Sequence, residues 1–230
     1  MRLGLVIPLY DEEELVTEVV ASIHATLKQA GIEHVLVLVN NGSQDQTAAL
    51  VDDLSLDASV VAIHLRENAG YGGGILAGLA WLEQNEMPDV VGWIWGDGQV
   101  SPSALPPLFA ACAAGAPLAK AVRKERHDGL QRQAITTVYA AATRVLGIHA
   151  EDVNGCPKLM TRAAFEELQP RSSDWFLDAE VVVKAEQRNW EIATHPVIMR
   201  ARTAGHSKVN WHTVAEFALN LTRWRFGSAE

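Results

Sequence analysis

Cysteine is scarce: the 230 residues hold two, Cys112 and Cys156, far apart and in no metal-binding spacing. That excludes a disulfide framework and suits a reducing compartment. Long apolar runs are missing as well. Nothing approaches the roughly 18 consecutive apolar residues of a membrane span. The apolar opening, LGLVIP, is too short for a secretory signal and runs into the acids of residues 11–14, so a cytoplasmic location is expected. Positive charge is in deficit, with 19 Lys and Arg against 28 Asp and Glu, a net charge of −9. Non-specific nucleic-acid binding is thereby removed as the main task. No Gly-Lys-Ser/Thr occurs, so there is no P-loop. Repeats, low-complexity runs and linkers are also lacking. At 48% hydrophobic and 20% charged residues, the composition is that of a globular chain rather than a disordered one.

What is present is a regular alternation. Residues 3–8, 34–39, 60–65 and 90–95 read as near-continuous apolar strands. Pro8 is expected to stop the first, since proline has no amide donor for the ladder. Between the strands lie amphipathic helices. One has Leu15, Val16, Val19, Val20, Ile23 and Leu27 on a single face, acids at its start and Gly31 at its end. A second is capped by Asp45 or Ser43. A third carries Ile75, Leu79 and Leu82. Buried strands alternating with such helices predict an α/β fold, a mostly parallel sheet flanked by helices on both faces. The loops 8–12, 40–45, 68–74 and 96–99 all follow strands. They therefore converge on one sheet edge, where a nucleotide would sit.

The stretch VVGWIWGDGQ, residues 90–99, is where this pattern meets chemistry. A buried strand runs into Gly96, Asp97, Gly98 and Gln99. Its glycines permit a sharp turn and a close ligand approach. Asp-Gly is a common turn; at a strand's carboxyl end it also presents one carboxylate to the ligand edge. The glycine-rich residues 70–74 lack dinucleotide-fingerprint spacing and follow the third strand, not the first.

The second half is less regular. Residues 103–115 predict a helix and 117–122 a fifth strand. A basic cluster follows: Lys120, Arg123, Lys124, Arg126, His127 and Arg132. It reads either as a solvated loop or as an anion site, since guanidinium forks match phosphate oxygens. Then come a helix over 134–146, a turn-rich loop over 152–157, and a helix over 176–188 with Asp178 and Glu180 near its start. A strand over 191–199 and a basic loop over 200–208 complete the run. Residues 211–226 place Trp211, Val214, Ala215, Ala218 and Leu219 on one stripe. Such a helix packs on its own domain or lies on a membrane surface, with Arg223 and Arg225 near head groups.

Seven segments, in order, resemble family 2 glycosyltransferases of the GT-A (Rossmann-like) fold. They most resemble the polyprenyl-phosphate sugar transferases of the dolichyl-phosphate mannose synthase type. The segments are VIPLYDEEE, NNGSQDQT, ENAGYGGGILAGL, WGDGQ, DVNGCPKLMTR, DWFLDAE and GHSK. The resemblance implies a GT-A domain over residues 1–209 followed by a C-terminal amphipathic helix over 210–230. It implies an inverting transfer of a hexose from a nucleotide-sugar donor to a polyprenyl-phosphate acceptor, with possible peripheral membrane contact. The alternatives are transfer to a soluble sugar or protein, or a binding module without turnover.

By the same resemblance Pro8, Tyr10, Glu12, Asn40, Asn41, Asn68, Gly70, Gly96, Asp97 and Gln99 bind the donor. Asp97, Asp152 and Arg123 are catalytic. Lys120, Arg123, Arg126, Arg132, Arg200, Arg202, Ser207 and Lys208 hold the acceptor phosphate, and Asp152, Lys158 and Glu180 shape the sugar region. Mg²⁺ or Mn²⁺ is implied at Asp97. Two departures stand out: Asn40-Asn41 occupies the family's Asp-Asp pair, and Trp95 takes the place of the first Asp of its DxD. A single carboxylate is left there for an ion.

Overall fold

Strand β1, Arg2–Leu9, shows why the sheet is covered twice. Leu3, Leu5, Ile7 and Leu9 join one buried cluster while Val6 joins another. Alternate side chains of a strand leave on opposite faces, so each face needs its own cover. The computed structural model describes residues 1–85, 87–126 and 150–199. The predicted helices over 134–146 and 210–230 lie outside them, as do Arg132, Arg200, Arg202, Ser207 and Lys208.

The other strands are β2 (Glu33–Asn41), β3 (Val60–Leu65), β4 (Val90–Trp93), β5 (Leu118–Arg126), β6 (Lys158–Thr161) and β7 (Ile192–Met199). Their order is β3-β2-β1-β4-β6-β5-β7, in one sheet. Among the described strands only β6 runs against its neighbours, β4 and β5. The helices are α1 (Val16–Gln29), α2 (Thr47–Leu54), α3 (Gly70–Gln84), α4 (Leu105–Ala113), α5 (Arg162–Leu168) and α6 (Leu177–Gln187). Helices α1, α2 and α4 pack their apolar stripes on one face, and α3, α5 and α6 on the other. The mostly parallel α/β sheet expected from the sequence is therefore present.

Three local expectations change. Pro8 does not stop β1, which runs to Leu9. The pairing of β1 with β4 ends at Val6, whose carbonyl accepts from Ile94 N. Two residues on, the missing Pro8 donor faces the same side, where no ladder bond remains to be lost. Strand β4 ends at Trp93 rather than residue 95. Residues 158–168, not predicted as elements, form β6 and α5. The former is four residues long and gives little periodicity to read. Thr161 caps α5, its hydroxyl accepting from Ala164 N.

Strand order reverses at β1, with β2 on one side and β4 on the other. Open α/β sheets bind ligands at the carboxyl ends flanking such a reversal. Gly96 shows how closely the two loops pass there: a Cβ on it would lie 2.5 Å from Leu9 Cδ2.

Candidate active site

Asp97 stands just past β4 at this reversal, half-buried, its Oδ1 accepting from Gln99 N at 3.1 Å. The carboxylate thus braces its own turn while remaining at the sheet edge. Gln99 is buried. The basic strand β5 reaches Trp95, two residues before Asp97. The guanidinium carbon of Arg123 lies 5.6 Å from the ring centre of Trp95, a cation–π distance. Asp152 grips the same guanidinium through both carboxylate oxygens and also accepts from the Arg123 backbone N at 2.8 Å. Burial opposes the Arg123 charge, but the bonds to Asp152 outweigh it and hold its pKa above the usual value. Arg123 therefore meets Trp95, two residues before Asp97 in the chain, although strand β6 lies between β4 and β5 in the sheet order.

The rest of the basic cluster divides. Lys120 is fully buried, its ammonium spent on the carbonyls of Glu151 and Asp152. It pins the loop that carries Asp152. Lys124 pairs with Glu151 in the open, at 54% and 64% exposure. Such a pair contributes little. Arg126 ends β5 opposite Met199.

The two asparagines are committed to the chain itself. Asn41 accepts from Ala69 N at 2.9 Å and donates to Gly70 O at 2.9 Å. An amide can do both and a carboxylate cannot, because a carboxylate has no donor for the carbonyl. Asn40 accepts from Ser43 N and bonds His64 Nδ1, which passes the contact to Asp52. Asn68 Oδ1 accepts from Gly70 N. Pro8 and Tyr10 are half-buried at the end of β1, and Glu12 is buried with its N donating to Thr47 Oγ1. The acids of residues 11–14 precede α1 rather than enter it. Asp11 and Glu13 cross-link to Gln44 and Gln46, and Asp45 bonds Thr47 N at the start of α2.

The glycine-rich residues 70–74 meet protein, not open space. A Cβ on Gly72 would lie 2.2 Å from Ser172 O, and Gly73 N donates to Ser173 O. The loop before α6 therefore closes over the start of α3. Glu180 secures that loop, accepting from Arg171 N, Ser172 N and Lys184.

Sequence reasoning missed a buried polar chain at the same edge. Lys158 Nζ donates to Asp178 Oδ1 at 2.7 Å, and Trp93 Nε1 donates to the same oxygen at 3.1 Å. Tyr71 donates from its hydroxyl to Asp178 Oδ2 at 2.9 Å and accepts from Trp95 Nε1 at 2.8 Å. Its ring stacks on Trp175 at 4.4 Å. No local signal links Tyr71 with Asp178, 107 residues away. Cys156, beneath this chain, is buried with its thiol pushed well up by burial and by Asp178.

Among the described residues no three His, Cys, Asp or Glu converge to hold a metal ion. Asp152 is taken by Arg123 and Asp178 by Lys158. One carboxylate, Asp97, fits a hard cation only where phosphate oxygens and water complete the shell. No described helix is long and apolar enough to cross a membrane.

The chain has relatives of known name and fold. The chain is 31% identical to undecaprenyl-phosphate 4-deoxy-4-formamido-L-arabinose transferase of Pseudomonas fluorescens over 156 residues, 66% of this chain and 44% of that protein. It thus spans less than half the length of that curated relative. It is 26% identical to polyprenol monophosphomannose synthase of Mycolicibacterium smegmatis, over 97% of this chain and 86% of that one. Its fold matches glucosyl-3-phosphoglycerate synthase of Mycobacterium tuberculosis, solved with UDP, at a TM-score of 0.72 and 18% identity. All of this chain and 81% of that one are covered. The same enzyme was also solved with Mn²⁺, UDP and glucosyl-3-phosphoglycerate, and with Mg²⁺ and UDP. The pattern of glycosyl transferase family 2 matches residues 5–169, well over half the chain, and the protein belongs to that family.

Proposed function

We propose that the protein transfers a hexose, with inversion, from a nucleotide sugar to a polyprenyl phosphate. The observation that carries this reading is Arg123, clamped by Asp152 and seated on Trp95, two residues from Asp97. An anion anchor and a lone carboxylate at one sheet edge suit a reaction between two phosphate-bearing substrates. The named activities of the two relatives support the same choice.

Residues on the loops after β1, β2 and β4 receive the donor. Asp97 would hold Mg²⁺ or Mn²⁺ together with the donor's diphosphate oxygens. When bound, the ion supplies Lewis-acid stabilisation of the leaving diphosphate. Arg123 holds the acceptor phosphate in line with the anomeric carbon. An acceptor phosphate oxygen forms the new bond to that carbon, the bond to the diphosphate breaks, and nucleoside diphosphate leaves with the electron pair. The acceptor is already anionic at neutral pH, so the step needs no strong base. Asp152 acts through Arg123. Lys120, Lys158 and Glu180 act through the loops they pin. Arg126, Arg132, Arg200, Arg202, Ser207 and Lys208 complete the acceptor side, and the lipid places the protein at a membrane surface.

The test is incubation with labelled nucleotide sugars and a short polyprenyl phosphate, with Mn²⁺ and with EDTA. Transfer to the lipid is expected, and no transfer with any donor would overturn the reading. Transfer to a soluble phosphate such as 3-phosphoglycerate, but not to the lipid, would reassign the acceptor. Arg123→Ala is expected to weaken lipid-phosphate use at least tenfold, as loss of a charged hydrogen-bonding partner does, with donor binding little changed. Equal loss of both removes Arg123 from the acceptor side.

A further inference from the structure

We propose that Tyr71 and Asp178 are positioning residues for Arg123, acting through the indole of Trp95. The inference rests on the reading above for what Arg123 binds, but not for how it is held. The contacts form one unbroken line. Lys158 and Trp93 fix one oxygen of Asp178, and the other oxygen receives the Tyr71 hydroxyl. That hydroxyl accepts from Trp95 Nε1 at 2.8 Å, and the Trp95 ring carries Arg123 at 5.6 Å.

The line has one polarity. Burial, then the charge of Asp178, push the Tyr71 proton well above its usual pKa, so the hydroxyl stays protonated. With its proton committed to the carboxylate, its lone pair is left for the indole N–H. Hydrogen bonds in such a chain polarise one another. The carboxylate thereby draws the indole proton outward and enriches the ring face on which the guanidinium lies. Trp175, stacked on Tyr71 at 4.4 Å and 5°, keeps the phenol from turning out of the line. Trp95 is thus a seat: it fixes the Arg123 plane from one side while Asp152 fixes its edge from another. The fork has five N–H donors; among the described residues Asp152 takes the one on Nε and one on Nη2, and in the proposed transfer the others meet the phosphate.

Tyr71→Phe deletes one oxygen and keeps the stacked ring. Two readouts apply. The Arg123 side-chain Nε–Hε NMR signal, assigned by its loss in Arg123→Lys, lies in the ring current of Trp95 and is expected to shift. Titration with farnesyl phosphate is expected to weaken about fivefold, the scale of a lost or misplaced cation–π contact, while nucleoside diphosphate binding stays within twofold. Trp95→Phe keeps a ring but has no N–H. It is expected to give the same two changes, and it stands in should Tyr71→Phe not fold. An unmoved Arg123 signal, or an equal loss for both ligands, overturns the proposal. A shifted signal with weakened farnesyl phosphate binding supports it even if the wild type proves inactive as a transferase, which would instead overturn the functional reading.

Discussion

Replacing Lys158 with methionine keeps the aliphatic stem and deletes the ammonium. Its partner Asp178 lies 2.7 Å away, and their side chains are 0% and 3% exposed. Removing one member of such a pair costs roughly 3–5 kcal/mol, because the survivor keeps its charge without water or counter-ion. Gly155 O also loses its donor at 2.7 Å. Tyr71 and Trp93 still donate to Asp178 and soften the penalty, so the lower end, about 3 kcal/mol, is expected. At about 2–4 °C per kcal/mol for a chain of this size, the midpoint falls by roughly 6–12 °C. Urea unfolding with an unchanged m-value measures the same loss. The diagnostic variant is Lys158→Met with Asp178→Asn. It removes the orphan charge, retains an acceptor for Trp93 or Tyr71, and should recover about half of the loss. A double variant no more stable than Lys158→Met alone would show that the stranded charge is not the cause.

Three further outcomes are expected. Asp97→Ala should abolish transfer and metal-dependent donor binding while costing about 1 kcal/mol of stability, the worth of its bond to Gln99 N. Retained Mn²⁺-dependent donor affinity would exclude Asp97 as the ion's ligand. Asn41→Asp should destabilise by about 1–3 kcal/mol, because a carboxylate would face the Gly70 carbonyl without a proton to share; an unchanged denaturation midpoint would contradict that geometry. Burial, then the charge of Lys158, lower the Lys120 pKa to about 8. An unfolded lysine titrates near about 10.4. Between these values the unfolded chain binds the proton and the folded chain does not, so stability rises with pH there. Measured against Lys120→Met, wild-type stability should therefore climb from about pH 8 to about pH 10; a flat or falling difference would refute the buried-lysine account.

The arrangement also bears on two residues that depart from the family pattern, Asn41 and Trp95. Asn41 is an amide because it must donate to one backbone group and accept from another. Trp95 gives up a carboxylate and gains a ring that carries Arg123. Each change looks like a loss along the chain and becomes a contact only in the fold.

The sequence alone determined the layered sheet, the helices on both faces and the gathering of loops at one edge. Those follow from apolar periodicity, turn residues and the handed, short connections of α/β chains, all of which are local or nearly so. It also put Asp97 at the carboxyl end of a strand, but it ended the fifth strand at residue 122; in the fold β5 runs on to Arg126 and includes Arg123. Only the tertiary structure decided which charges face a ligand and which are spent inside. Lys120, Lys158 and Glu180 read as site residues on the string, yet each is occupied with backbone or a buried partner. Gly72 lies in the glycine-rich run after the third strand, and there the carbonyl of Ser172 occupies the space a side chain would need. The reason is that desolvation and partner choice depend on neighbours far apart in sequence, such as Tyr71 with Asp178 and Arg123 with Asp152. No pattern along the chain encodes those pairings.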